Sequence, residues 1–440
     1  MGITGTDVRT FSKCGPLNGA LNVPGDKSIT HRAILFGTLA TGRTTVDGWL
    51  DGADCRSSIH VAQKLGASIE IGQNCLIIEG TGGQLSEPDD VLDCGNSGTT
   101  VRMFSGAIAA RVPFACLTGD DSLRKRPMKR VIDPLTQMGA SFAARGAHYL
   151  PLAIHGGAIH GITFPLNVPS AQVKSAILIA GALASSIPTT VVETVATRDH
   201  TENMLPAFGV PVERRQSPQG VHLTVQPNQQ FHGTNVCVPG DPSSAAFLLA
   251  AAAIIPNSQV TILRTLLNPT RTGFLRVLGR MGAEVRIENK RLESGEQVGD
   301  VTVTSGALRA TTVVADEIPA LVDEVPILAV VAAFAEGVTS FQGASELRIK
   351  ETDRIRAVCN GLTQIGVQTT EQPNGFTVYG ESGATVQGGT VESEHDHRIA
   401  MSFAVAGLAA KSDVHIRNWS CVNISFPTFA SCLAELNGHA

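Results

Sequence analysis

The sequence predicts an α/β protein of two domains, each built from three repeated β/α units, with a hinge between the domains. Three observations predict it. One phrase recurs six times at intervals of roughly 70 to 80 residues, the signature of a repeat architecture. The tetrapeptide Val-Pro-Gly-Asp occurs twice, at 23–26 and at 238–241. Apolar residues make up 43% of the chain but aromatics only 5%, so the core must be packed from small and branched aliphatic side chains.

The repeated phrase opens with a polar cluster at a helix start and continues as an Ala/Leu-rich helical run. A Thr/Val-rich strand and a second helix with a glycine stop follow. The first copy runs from Asp26-Lys27-Ser28 through Thr44-Thr45-Val46 to Leu65-Gly66-Ala67. The second opens at Asn96-Ser97-Gly98-Thr99 and closes at Met138-Gly139-Ala140. Copies three and four open at Ser170-Ala171-Gln172 and Asp241-Pro242-Ser243, and close at Phe208-Gly209-Val210 and Met281-Gly282-Ala283. Copy five opens at Asp323-Glu324, and copy six at Asp396-His397-Arg398. Each opener supplies a hydroxyl, amide or carboxylate for an N-cap, and each closer supplies glycine where a helix ends with positive φ. Helix N-termini that converge would make a site for anions.

The duplicated tetrapeptide reads as a pair of crossings between domains. It assigns residues 24–239 to one domain of three units, and 1–23 with 240–440 to the other. A ligand site is expected in the cleft of such a hinged pair.

With 34 Lys and Arg against 39 Asp and Glu, the chain carries a formal charge of −5. That balance argues against a nucleic-acid clamp, whose affinity comes from excess cations. The longest apolar run, 245–255, is too short for a membrane span and reads as a buried helix. Nine cysteines, scattered and without zinc spacing, fit reduced thiols and a cytoplasmic location. Met1-Gly2 followed by Thr6 fits an acylation pattern formally, but so short a pattern recurs by accident.

Against this low-charge background, cations at unit openers stand out. Lys27 and Arg32 flank Ser28, Arg102 follows Asn96 and Thr99, Arg126 precedes a proline, and Lys174 and Arg198 belong to copy three. Lys350 and Arg354 frame Glu351 and Asp353, and Arg398 ends the last opener. Such an array suits a ligand with several phosphate or carboxylate groups. Asp323 and Glu351 are the best candidates for proton transfer, with an ordinary ion pair as the alternative for both. In that alternative, Lys350 to Arg354 is simply a helix start capped by Thr352.

Other motifs fail. Pro24-Gly25-Asp26-Lys27-Ser28 lacks the leading glycine of a nucleotide P-loop, and Asp26 interrupts the Gly-Lys pair. No G-x-G-x-x-G follows the first strand, and there is no G-x-S-x-G elbow or H-E-x-x-H. His395-Asp396-His397 has no further metal ligands nearby, and a helix-start turn explains it better.

These segments together resemble the 5-enolpyruvylshikimate-3-phosphate synthase family of enolpyruvyl transferases over nearly the whole chain. The resemblance rests on Pro24 to Ser28 with His31-Arg32, Gly95 to Thr100 with Arg102, and Arg126-Pro127. Ser170 to Ser175, Lys350 to Arg354 and Asp396 to Arg398 complete it. It implies the enolpyruvyl-transferase-like fold of two hinged domains, and transfer of the enolpyruvyl group of phosphoenolpyruvate to the 5-hydroxyl of shikimate 3-phosphate. No cofactor or metal is implied. By matching positions, Lys27, Ser28, Arg32, Ser170, Ala171, Gln172, Arg198, Asp323 and Lys350 would hold shikimate 3-phosphate. Lys27, Asn96, Gly98, Thr99, Arg126, Gln172, Arg354 and Arg398 would hold or shape the phosphoenolpyruvate pocket. Lys27, Asp323 and Glu351 would be catalytic, and glyphosate becomes a possible inhibitor.

Two positions depart from the better-known branch of the family: a lysine expected near Ile424 is absent, and Glu346 stands where an asparagine is expected. The sister transferase acting on UDP-N-acetylglucosamine would carry a reactive cysteine ahead of Arg126. That loop reads Gly119-Asp120-Asp121-Ser122-Leu123, with no cysteine. A non-catalytic anion binder on the same scaffold would have no need of Asp323 and Glu351.

Overall fold

The computed structural model describes residues 7–438, so the acylation pattern at Met1, Gly2 and Thr6 lies outside the described residues. The chain divides into two compact units. The first unit is Gly25–Val238 with Leu292–Glu296; the second takes the described residues of Met1–Pro24, Pro239–Arg291 and Gln297–Ala440. The short segment Leu292–Glu296, the tip of a hairpin, had no sequence signal for this assignment.

In the first unit the helices are α1 (Lys27–Leu39), α2 (Ala53–Lys64), α3 (Gly98–Arg111), α4 (Lys129–Gln137), α5 (Ala171–Leu183) and α6 (His200–Met204). Its three four-stranded sheets share one plan: a lead strand runs parallel to a central strand, and two further strands continue antiparallel. In the first sheet Asn235–Cys237 leads Arg43–Asp47, followed by Cys75–Glu79 and Ser68–Ile71. Leu92–Asp93 leads the second, and Thr163–Pro165 the third. The last strand of the unit thus pairs into its first sheet, which ties the two ends of the segment together.

The second unit repeats the plan with α7 (Pro242–Ile254), α8 (Gly273–Met281), α9 (Val325–Ala333), α10 (Arg354–Gln364), α11 (His397–Gly407) and α12 (Phe429–Leu436). Here the beginning of the chain supplies two closing strands. Asn18–Leu21 runs parallel to Gln259–Leu266, and Val8–Phe11 runs antiparallel to Val414–Arg417. The apolar run at 245–255 forms most of α7 and its C-cap, Ile255; every residue of α7 is buried. With no wet face, such a helix gains from alanine, which has high helix propensity and lets neighbours approach closely.

Local chemistry accounts for many helix boundaries. Asp26, Ser97, Ser170, Asp241 and Asp396 each accept a hydrogen bond from a backbone N–H in the first turn of their helices. The closing glycines Gly66, Gly139, Gly209 and Gly282 all have positive φ, as the stop requires. Copy five departs from this pattern. Asp323-Glu324 lies in a 3₁₀ turn, and the cap position has no side-chain hydrogen bond. Glu324 instead accepts from Ser243 Oγ, and Pro326 in the first turn has no N–H to cap. The helix that follows Lys350, α10, is capped by Asp353, which accepts from Arg356 N, and not by Thr352 as the alternative reading of that segment had it.

The repeated phrase is longer than its sequence reading. After the second helix of a copy comes an antiparallel hairpin, such as Ser68–Ile71 with Cys75–Glu79 or Thr369–Gln372 with Gly375–Glu381. The outer strand of each is largely exposed, so its apolar alternation is weak.

Candidate active site

In the first unit the candidate residues Lys27, Ser28, Gly98, Thr99, Ala171 and Gln172 sit in the first turns of α1, α3 and α5, where unpaired amide N–H groups favour anions. Lys27 is the first residue of α1, and its Nζ lies 3.0 Å from Asp54 Oδ2 in α2. Asp54 is a neighbour that sequence reading missed, since nothing local links positions 27 and 54. Ser28, on the same turn, accepts from Arg32 Nη1 through its carbonyl at 3.0 Å.

Arg32 is buried. Its Nε donates to Thr201 Oγ1 at 2.8 Å and its Nη2 to Ser175 Oγ at 2.9 Å. Burial lowers its pKa to about 10, so the guanidinium stays charged at neutral pH. Thr201 lies next to His200 in α6, just after Arg198, so α1, α5 and α6 are tied together at this arginine. Glu202 of the same helix accepts from Lys174, 2.6 Å away, and Lys174 also pairs with Glu193 at 3.0 Å. Lys174 is fully buried between these carboxylates, so its charge serves the core of the unit rather than the cation array suggested by the sequence.

The turns at α3 and α5 are joined directly. Gln172 Nε2 donates to Thr99 Oγ1 at 2.9 Å, while Arg102 Nη1 donates to Gln172 Oε1 at 2.8 Å. Ser170 caps α5, and Ala171 is its first residue. Burial, with Arg126 and Arg130 nearby, lowers the Arg102 pKa to about 10. Arg126 donates to Asn96 Oδ1 at 2.9 Å, and Asn96 donates to Asp120 Oδ2 at 2.6 Å. Asp120 also caps the 3₁₀ turn by accepting from Leu123 N, so the Asn96–Arg126 pair is braced by the following loop.

The second unit holds a different chemistry. Arg354 is 1% exposed and touches three carboxylates: Asp396 at 2.8 Å, Glu351 at 2.7 Å and Asp323 at 3.2 Å. Burial alone would lower its pKa, but Asp396, Glu351 and Asp323 together raise it above its ordinary value. Arg398 donates to the Asp323 carbonyl at 3.2 Å and lies 3.7 Å from Glu324 Oε1. Burial, then the neighbouring Asp323, raises the pKa of Glu324. Arg271 braces the same region through Asp241 at 2.9 Å and Ser243 Oγ at 3.1 Å. Sequence reading placed Asp396 and Asp241 only as helix openers and singled out neither Arg271 nor a separate role for Glu324.

The two departures from the family pattern have local explanations. Glu346 pairs with Lys350, four residues on, at 3.7 Å. Ile424, partly buried, packs against the core of its unit. As a candidate metal group, Asp199, His200 and Glu296 place ligand atoms within 4.8 Å of one another. His200 Nδ1 and Asn203 Nδ2 already engage Glu296 Oε1, at 2.8 and 3.2 Å, so a hydrogen-bond cluster accounts for the grouping.

Cations at helix N-termini and carboxylates wound around buried arginines define a class of protein: one that handles anionic small molecules with acid–base groups at hand. A family model described as EPSP synthase (3-phosphoshikimate 1-carboxyvinyltransferase) matches residues 11–433. A 3-phosphoshikimate 1-carboxyvinyltransferase of Caulobacter vibrioides is 47% identical, covering 96% of each chain. One of Sulfurihydrogenibium is 45% identical over 98% of this chain and 99% of its own. A solved EPSP synthase of Acinetobacter baumannii superposes with a TM-score of 0.88 at 39% identity, covering 98% of both chains. The chain belongs to the EPSP synthase family.

Proposed function

We propose that the chain performs the reaction of its family, with Lys27, Asp323 and Glu351 as the groups that move protons and stabilise charge. It transfers the enolpyruvyl group of phosphoenolpyruvate to the 5-hydroxyl of shikimate 3-phosphate and releases inorganic phosphate. This is a step of the shikimate pathway toward the aromatic amino acids.

Asp323 orients the 5-hydroxyl and takes its proton as the oxygen attacks C2 of phosphoenolpyruvate. Glu351, or Lys27 acting with it, delivers a proton to the methylene carbon, giving a tetrahedral ketal. A proton then leaves the new methyl group, the bond from C2 to the phosphate oxygen breaks, and the double bond re-forms. Lys27, Arg126, Arg354 and Arg398 stabilise the departing phosphate more strongly as its charge develops. Ser28, Arg32, Ser170, Ala171, Gln172, Arg198 and Lys350 hold shikimate 3-phosphate. Asn96, Gly98 and Thr99 shape the phosphoenolpyruvate pocket with Gln172. Glyphosate is an inhibitor in this reading, competing for the contacts at Gly98 and Arg126.

The observation that carries the reading is the contact of one buried arginine, Arg354, with both Asp323 and Glu351. A group suited to phosphoenolpyruvate thereby touches both carboxylates suited to proton transfer. Among the described residues no helix is long and apolar enough to cross a membrane, and nine cysteines without a disulfide support work in a reducing compartment, the cytoplasm. The test is phosphate release from phosphoenolpyruvate with either shikimate 3-phosphate or UDP-N-acetylglucosamine as acceptor. Release that depends on shikimate 3-phosphate is expected; release with the UDP-sugar alone would move the chain to the sister activity.

A further inference from the structure

Three helices of the first unit are joined by a buried chain of small polar groups to which the reaction assigns no task. His31 of α1 has its Nδ1 2.8 Å from Ser58 Oγ of α2. Ser58 Oγ lies 2.7 Å from Thr100 Oγ1 of α3, and Thr100 Oγ1 donates to Ser97 Oγ at 2.7 Å. Ser97 is the cap of α3 and accepts from Thr100 N at 3.1 Å. All four residues are buried, none more than 1% exposed. One end of the chain is a single helical turn from Lys27; the other is the turn that carries Gly98 and Thr99.

The direction of the chain is fixed by proton counting. A hydroxyl donates one hydrogen. Thr100 gives its hydrogen to Ser97, so it must accept from Ser58, and Ser58 must in turn accept from His31. His31 therefore carries a proton on Nδ1. The other ring nitrogen, Nε2, is buried without a partner, which costs less as a lone pair than as an orphaned N–H. Burial, opposed by Asp54 and aided by Lys27, lowers the imidazole pKa to about 3, consistent with a ring that stays neutral.

We propose that His31, Ser58 and Thr100 are positioning residues that set the Ser97–Thr99 turn against the Lys27 turn, and so govern phosphoenolpyruvate affinity in particular. The proposal rests on the reading that the Gly98 turn meets phosphoenolpyruvate. Ser58 is the side-chain link across α2; a longer contact runs beside it, from Thr100 Oγ1 to the Asp54 carbonyl at 3.5 Å, with Asp54 Oδ2 paired to Lys27 Nζ at 3.0 Å. The α3 end carries none of the residues assigned to shikimate 3-phosphate.

The experiment compares Thr100→Val, which keeps the shape and removes the hydroxyl, with Thr100→Ser, which keeps the hydroxyl. Ser58→Ala and Gly98→Ala are measured beside them. Thr100→Val and Ser58→Ala are expected to raise KM for phosphoenolpyruvate about tenfold, the effect of one lost buried hydrogen bond. KM for shikimate 3-phosphate and kcat should change less than about twofold, the pattern of lost uniform binding of one substrate. Thr100→Ser should restore the wild-type KM. A solely structural role would lower melting temperature and active fraction while leaving both KM values in place, and that result overturns the proposal. If Gly98→Ala alters KM for phosphoenolpyruvate and Thr100→Val does not, the positioning chain fails and the pocket reading stands. If neither alters it, the pocket reading fails and the proposal with it. Nitrogen NMR of the wild-type enzyme gives an independent readout: a His31 proton on Nε2 would contradict the inferred direction.

Discussion

Arg354 and Asp396 form a buried ion pair in the second unit, Nε to Oδ2 at 2.8 Å, with side-chain exposures of 1% and 0%. Asp396 also accepts from Arg398 N at 2.8 Å, so one carboxylate both orients an arginine and caps α11. Removing one member of such a pair leaves the other charged and buried. Asp396→Ala should therefore cost roughly 3–5 kcal/mol from the broken pair, whereas Asp396→Asn, which keeps an oxygen acceptor at the cap, should cost less. Urea midpoints of the three proteins check this. Wild-type midpoints in both variants would mean the pair contributes nothing.

Glu351 and Asp323 touch the same guanidinium but differ in exposure, 35% against 13%. Glu351→Gln should leave the melting temperature close to that of the wild type while kcat falls by about 10²- to 10⁴-fold, the usual contribution of a general acid or base. Asp323→Ala should lose a similar factor and, because it strips a partner from Arg354, some stability as well. Steady-state kinetics with both substrates, paired with thermal unfolding, separates the two effects. Undiminished kcat in both variants removes these carboxylates from the chemistry.

Much of this arrangement was legible in the sequence because caps and stops are local. Asp26, Ser97, Ser170, Asp241 and Asp396 can be read as helix starts from their immediate neighbours, and Gly66 or Gly282 as stops from the residues before them. Partners chosen by the fold could not be read. The pairing of Lys27 with Asp54, of Arg32 with Thr201 and of Lys174 with Glu193 each joins distant positions. Lys174 shows the cost of reading charge by position alone, since it belongs to a conspicuous opener yet lies wholly within the core. The outer hairpin strands escaped for a different reason. Segments such as Glu213–Ser217 are almost entirely exposed and carry no buried stripe to mark their period.

Gly98 has little free space above it. A Cβ there would come within 2.8 Å of Arg102 Nη1 and 3.6 Å of Arg126 Nη1. The first of these atoms holds Gln172 and must move, which flexible guanidinium ends permit. Gly98→Ala should therefore fold, yet weaken glyphosate by about tenfold or more and raise KM for phosphoenolpyruvate by a smaller factor, within the roughly 1–3 kcal/mol of an overpacked site. Inhibition titrations against phosphoenolpyruvate measure both quantities. An unchanged inhibition constant would show that the added methyl does not enter the pocket.

His31 makes the acid stability of the first unit predictable in sign. Its ordinary pKa of 6.5 falls to about 3 in the folded chain, chiefly through burial, with Lys27 and Arg32 adding to the fall and Asp54 and Asp26 opposing it. Below pH 6.5 the unfolded chain takes up a proton that the folded chain refuses until about pH 3, so stability is lost as pH drops through that window. The loss attributable to this one ring is on the order of 4 kcal/mol. His31→Gln can still donate to Ser58 but does not titrate, so its stability should decline less steeply over the same range. Urea unfolding of both proteins at steps from pH 6.5 down to pH 3 isolates the difference, because every other titrating group is shared. Parallel curves for the two proteins would mean that His31 accepts its proton as readily in the folded chain as in the unfolded one.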